Sequence, residues 1–355
     1  MFKKNKIIVI INDKYKLQAN SFYTEIYFSK EYQVIGIRDL KKDDINFINK
    51  NHQFVIAFPK VNLDMLIKKL NIKLIVFLDH PFSDKMKNFL KKYRHEIINK
   101  KIYFETPKIF KDFTPNHLDW VFKSKLDKKF KLNHKKKYDI LYLSGETKVS
   151  FFSLILNLPI VLLAFLIRKN MNIEPSELKK RYYSFLLYNF SLSDKYSKFY
   201  LFYSLVRYFR RKKIKNDLEK INNKKIIFGG SNSFLPKNSY KSFNWIFSKK
   251  IIEYAKKSKF IIIPDAFIGN FPNERLSLIQ YGCIPLIERS YWTKNLNLKN
   301  ILFDYKKPIN ETIRKFEKKN TKDYSKDIYK IINFYNKSYN KNPKKHYQNK
   351  LNIKK

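Results

Sequence analysis

The chain has 355 residues, 44% of them hydrophobic and 17% aromatic, enough apolar material for more than one core and far from the composition of a disordered polyelectrolyte. Its 75 basic and 30 acidic residues leave a formal charge of +45, but only 10 of the basic residues are Arg and 65 are Lys, spread along the whole chain. Arg is the usual residue for bidentate phosphate and base recognition, so this pattern reads as a lysine-solvated surface and argues against nucleic acid as a partner.

In chain order, Lys3, Lys4 and Lys6 precede a run of only five apolar residues, Ile7 to Ile11, a strand length and not a signal peptide. The pattern then predicts a helix over Asn20–Ser29, a strand over Tyr32–Ile37 and a strand over Phe54–Ala57. A helix over Leu63–Leu70, a strand over Lys73–Leu78, a helix over Ser83–Tyr93 and a strand over Lys101–Phe104 follow. Short continuous apolar strands alternating with helices indicate a parallel sheet covered on both faces.

The lysine-rich stretch Lys123 to Lys137 reads as a crossover, after which a second alternation starts at Tyr138. Residues 150–214 are helical, apolar and aromatic. Strands are expected over Lys225–Phe228, Phe260–Ile263 and Ile284–Ile287, with helices over Lys249–Ala255 and Glu274–Tyr281. The expected organisation is an N-terminal Rossmann-like acceptor lobe (1–125), a linker (126–137) and a C-terminal Rossmann-like donor-binding lobe (138–325) with a helical insertion at 150–214. A C-terminal helix and a polar basic tail (326–355) complete it.

Five of the six glycines lie in the second half, beside expected strands: Gly145, Gly229, Gly230, Gly269 and Gly282. Loops at the carboxyl ends of parallel strands are where such sheets bind ligands. Gly145 and the run Gly229-Gly230-Ser231 are therefore candidate phosphate- or base-proximal loops, whose backbone N–H groups and hydroxyls can donate to an anion. Neither has P-loop spacing, and GxGxxG is absent.

The most informative stretch is Ile263–Arg289, IPDAFIGNFPNERLSLIQYGCIPLIER. A buried strand ends at Pro264-Asp265. Asn273 is a suitable N-cap for a helix with Glu274 and Arg275 in its first turn and Gly282 as its stop. A helix start offers unpaired N–H groups to a phosphate, Arg275 adds a charge-assisted contact, and Glu274 can accept bonds from sugar or ribose hydroxyls. Leu276 and Ile279 are expected to face the core.

This segment resembles the donor-site helix of GT-B glycosyltransferases, particularly exostosin-like and group 1 members, through Glu274-Arg275-Leu276 and Gly282-Cys283-Ile284-Pro285-Leu286-Ile287. The likeness covers about 25 residues. Many members carry Glu five residues before the glycine, where this chain has Ser277. Glu274 one turn earlier, a different ribose contact, or a scaffold without donor binding all remain open. The resemblance implies an α/β fold of two Rossmann-like lobes whose parallel sheets face each other across a cleft, GT-B-like, with a nucleotide-sugar donor as substrate and no essential metal or other cofactor. Glu288 is implied as a second donor-loop residue.

In the first half, Asp79-His80 follows the strand ending at Leu78, which puts a carboxylate and an imidazole where an acceptor hydroxyl needs a general base. Asp13 and Glu105-Thr106 occupy equivalent points after neighbouring strands. The remaining histidines lack metal-ligand spacing.

The expected activity is transfer of a sugar from a nucleotide-diphosphate donor to a glycan or lipid-linked acceptor in cell-surface polysaccharide synthesis. Two alternatives stand beside it: a non-catalytic GT-B-like scaffold, and a basic nucleic-acid-binding protein. The single cysteine, Cys283, excludes an internal disulfide and fits a reducing, cytoplasmic compartment. The apolar run 151–167, short for a bilayer span and followed by Arg168, together with the basic cluster 207–213, points to contact with the inner-membrane surface.

Overall fold

The computed structural model describes residues 2–12, 29–58, 61–77, 84–106, 111, 114–119, 126–127, 132, 136–144, 155, 157–168, 192–230, 241–244, 248–264, 276–294, 296–338 and 342–353. The chain divides into two compact units, Met1–Lys125 with Lys337–Lys355, and Leu126–Asn336.

The first unit is built on a six-stranded parallel sheet: β1 (Ile7–Ile11), β2 (Tyr32–Gly36), β3 (Phe54–Ala57), β4 (Lys73–Phe77), β5 (Ile102–Thr106) and β6 (His117–Asp119), in the order β2-β1-β3-β4-β5-β6. Every residue of β1, β3 and β5 is buried, as a sheet covered on both faces requires. The covering helices are short and locally encoded. In α1 (Lys42–Asn51), the Asp44 carboxylate accepts the Lys41 N–H at 3.0 Å; in α2 (Leu63–Lys69), Asn62 Oδ1 accepts the Met65 N–H at 3.1 Å. α3 (Asp84–Lys92) and α4 (Arg94–Ile98) lead into β5. The helix expected over Asn20–Ser29 lies outside the described residues except for Ser29.

The second unit carries β7 (Tyr138–Ser144), α5 (Leu158–Ile167), α6 (Leu192–Glu219), β8 (Ile226–Gly230), β9 (Lys241–Asn244), α7 (Ser248–Lys257), β10 (Ser258–Ile263), a 3-10 turn (Ser277–Tyr281), β11 (Ile284–Glu288), α8 (Tyr291–Lys294), β12 (Leu302–Phe303), α9 (Ile309–Glu317) and α10 (Thr321–Ser338). Its sheet is again six-stranded and parallel, in the order β12-β11-β10-β7-β8-β9. Counted from β7, this is the order 3-2-1-4-5-6 of a dinucleotide-binding sheet.

The residues read as a polar tail turn out differently at 343–353. Asn342 Oδ1 accepts the Lys345 N–H at 2.9 Å and Pro343 opens α11 (Pro343–Lys350), which packs within the first unit. Tyr347 and Leu351 are buried there. The Tyr347 ring lies 5.4 Å from that of Phe54, and its hydroxyl donates to Glu105 Oε2 at 2.8 Å. Lys73 Nζ donates to the Leu351 carbonyl at 2.6 Å. A lysine-rich composition hid two large apolar anchors spaced four residues apart, enough to dock one helical face.

Candidate functional site

In a doubly wound sheet, ligands sit beyond the carboxyl ends of the strands where the strand order reverses. In the second unit that point lies between β7 and β10, paired through Tyr142 and Ile262. In sequence, Gly145 follows β7, and Asn273, Glu274 and Arg275 follow β10. Gly145, Ser231, Asn273, Glu274 and Arg275 themselves lie outside the described residues. Ser144, the last residue of β7, is fully buried, and its Oγ has no hydrogen-bond partner among the described residues.

Gly229 and Gly230 are placed inside β8, not in a loop after it. They pair with Leu143 and Ser144 on one side and with Phe243 and Asn244 on the other. Ladder bonds on both edges extend the strand past the expected end at Phe228. The two glycines leave the carboxyl end of β8 without a side chain, which lets another group approach the backbone.

Glu288 is likewise the final residue of β11 and not part of a loop. It is fully buried and ion-paired with Arg210 of α6, which is 2% exposed. Arg210 also donates from Nη1 to the Arg168 carbonyl, and its guanidinium carbon stands 4.4 Å from the centre of the Tyr305 ring. Tyr142, two residues before Ser144 and on the same face of β7, donates its hydroxyl to the Arg211 carbonyl at 3.2 Å, so α6 covers this face. Burial pushes the Tyr305 phenol above its usual range. Glu288 thus neutralises a buried guanidinium at the sheet's carboxyl edge. Arg210, Tyr305 and Ser144 were not singled out individually from sequence; the one usable signal is a scarce Arg within an apolar, aromatic helix, which needs a buried carboxylate.

The described part of the helix expected over Glu274–Tyr281 is Leu276, in helical conformation, followed by the 3-10 turn Ser277–Tyr281. Gly282 closes it in the left-handed region at φ 80°, with its N–H bonded to the Ile279 carbonyl at 2.9 Å. Leu276 and Ile279 are buried, as the pattern required. Cys283 behind the turn is sealed: its thiol donates to the Ala255 carbonyl at 2.6 Å, and burial pushes its pKa up to about 12. Beyond β11, a cavity of about 340 Å³ is lined by Arg289, Ser290, Thr293, Lys294, Asn297 and Leu302, among others. Ser290 Oγ is buried with no partner among the described residues.

In the first unit the order reverses between β1 and β3. Asp79 and His80, which follow β4, and Asp13, which follows β1, lie outside the described residues. β1, which precedes Asp13 in sequence, borders the reversal. Glu105 and Thr106 belong to β5 itself and are fully buried, with Glu105 bonded by Tyr347, so neither stands free beyond a strand. Among the described residues no cluster of His, Cys, Asp and Glu could hold a metal.

An alpha-glucosyltransferase solved in complex with UDP-glucose and DNA containing an abasic site shares the fold over 97% of this chain and 98% of its own, with a TM-score of 0.51 and 10% identity. The spinosyn rhamnosyltransferase SpnG aligns over 97% of this chain and 99% of its own at a TM-score of 0.35 and 8% identity. No family model matches the chain, and no curated protein sequence matches it. Two units, each on a parallel six-stranded sheet, make a GT-B-like α/β fold.

Proposed function

We propose that the chain is a glycosyltransferase that moves a sugar from a nucleotide-diphosphate donor to a glycan or lipid-linked acceptor. The observation that carries this is the strand order of the second unit. The strands that precede Gly145 and Asn273-Glu274-Arg275 in sequence, β7 and β10, flank its reversal point, and the fold is like that of a glucosyltransferase over nearly the whole chain. In this reading Arg275 and backbone N–H groups offset the diphosphate charge. Glu274 takes a ribose or sugar hydroxyl, and Gly145, Gly229, Gly230 and Ser231 shape the floor. His80, oriented by Asp79, removes the acceptor proton, and no metal is required. Synthesis of cell-surface polysaccharide is the process that would use such an enzyme.

The test is a thermal-unfolding panel of nucleoside diphosphates and nucleotide sugars. A bound donor at about 100 times its Kd stabilises the fold by about 2.7 kcal/mol. A panel in which no nucleotide raises the midpoint defeats the proposal and favours a scaffold that has lost donor binding, for which Ser277 is the sequence argument.

A second reading makes DNA the acceptor. It draws on the net charge of +45 and on the DNA present in the glucosyltransferase complex. It requires duplex binding that survives physiological salt, and the dispersal of 65 lysines against 10 arginines speaks against it.

A further inference from the structure

Among the described residues seven large hydrophobic side chains are exposed, and five of them fall within twelve residues: Ile155, Leu158, Leu162, Phe165 and Leu166, between 46% and 71% exposed. Leu158, Leu162, Phe165 and Leu166 stand at i, i+4, i+7 and i+8 of α5, one stripe of the helix. The opposite stripe, Ile160 and Ala164, is buried, and α5 packs against α6 with the Phe165 and Phe209 rings 5.6 Å apart. A helix written LPIVLLAFLI has no polar face, so anchoring one side leaves the other apolar toward solvent. Contiguous apolar patches of this kind mark an interaction surface.

The rim of the patch states the partner's chemistry. The Arg168 guanidinium carbon lies 3.1 Å above the centre of the Phe165 ring at the carboxyl end of α5. On α6, Lys212 Nζ stands 5.5 Å from the Tyr208 ring centre, next to Phe209. On α6, Lys212 is exposed beside Arg211, whereas Arg210 is sealed against Glu288 and Lys213 and Lys215 pair with Asp217 and Glu219. Aromatic rings capped by cations around an apolar wedge fit the zone between acyl chains and anionic head groups. A duplex would have no use for the exposed leucines. Among the described residues no helix is long and apolar enough to cross a membrane.

We infer that the exposed face of α5, with the basic end of α6, is a docking surface for a bilayer containing anionic phospholipid. Within the proposed function this favours a lipid-linked acceptor, presented at the membrane. The docking itself does not depend on donor binding, so the two can fail separately.

The experiment is co-sedimentation of the full chain with phosphatidylcholine vesicles, with and without phosphatidylglycerol, at physiological salt. The wild type is expected to pellet with the anionic vesicles. The variant L162S/L166S is expected to lose vesicle affinity on the order of tenfold while unfolding at the same temperature and giving the same donor response. Arg168→Gln with Lys212→Gln should weaken binding only to the anionic vesicles. Failure of the wild type to pellet, or equal binding by L162S/L166S, overturns the inference. So does a concentration-dependent dimer abolished by L162S/L166S in the absence of vesicle binding, which would assign the face to a second copy. Retention of DNA that competes with vesicles and is lost in L162S/L166S would likewise overturn it.

Discussion

Arg210, in the middle of a 28-residue helix, holds Glu288, the last residue of β11, and both side chains are sealed from solvent. Neither group tolerates losing the other. Arg210→Met strands a buried carboxylate and should destabilise the fold by about 3–5 kcal/mol, whereas the double variant R210M/E288L should recover most of that loss. Urea unfolding of the two single variants and the double variant reads the coupling directly; additive losses would mean the pair is not a unit.

Tyr347→Phe removes the one hydroxyl that α11 brings to Glu105 and leaves a buried carboxylate short of a donor. The expected cost is about 1–3 kcal/mol, again by chemical unfolding. Tyr347→Ala, which also empties the space against Phe54, should cost more, in the range of about 3–5 kcal/mol for a large buried aromatic.

His52 caps α1 with its ring buried, and burial, with the Lys344 charge, lowers its pKa from the ordinary value of 6.5. The unfolded chain then binds a proton more readily than the folded one. Its contribution is therefore fully present above about pH 6.5 and is lost as pH falls from there toward the lower folded value. Unfolding free energies measured across that window should fall with acidification, and less steeply in His52→Gln; parallel slopes would remove His52 as the cause.

At the proposed donor site, Glu274→Ala and Arg275→Ala should each reduce the nucleotide-induced rise in unfolding temperature while leaving the unliganded midpoint unchanged. Losing one charge-assisted contact to a diphosphate should weaken binding by about tenfold or more. Unchanged affinity would exclude these two residues from the site.

The sheets were legible because their strands are continuous apolar runs such as IIVII and FIII alternating with helical segments, the pattern of a doubly covered parallel sheet. Gly282 was legible as a stop because it takes the left-handed conformation that glycine adopts without penalty. Strand ends were less so: Gly229, Gly230, Glu105 and Glu288 look like loop residues by type, and ladder pairing with neighbours far along the chain keeps them inside strands. Glu288 could not be paired with Arg210 from sequence, because 78 residues and a sheet order lie between them. The dispersed lysines concealed α11, whose burial depends on two apolar residues in an otherwise polar stretch.

The return of α11 to the first sheet bears on biosynthesis. Glu105 emerges from the ribosome 242 residues before the tyrosine that satisfies it. The strands of the first sheet can collapse early, but they cannot reach their final packing until α11 has been translated. Truncations that remove α11 should therefore damage the unit whose strands were made first.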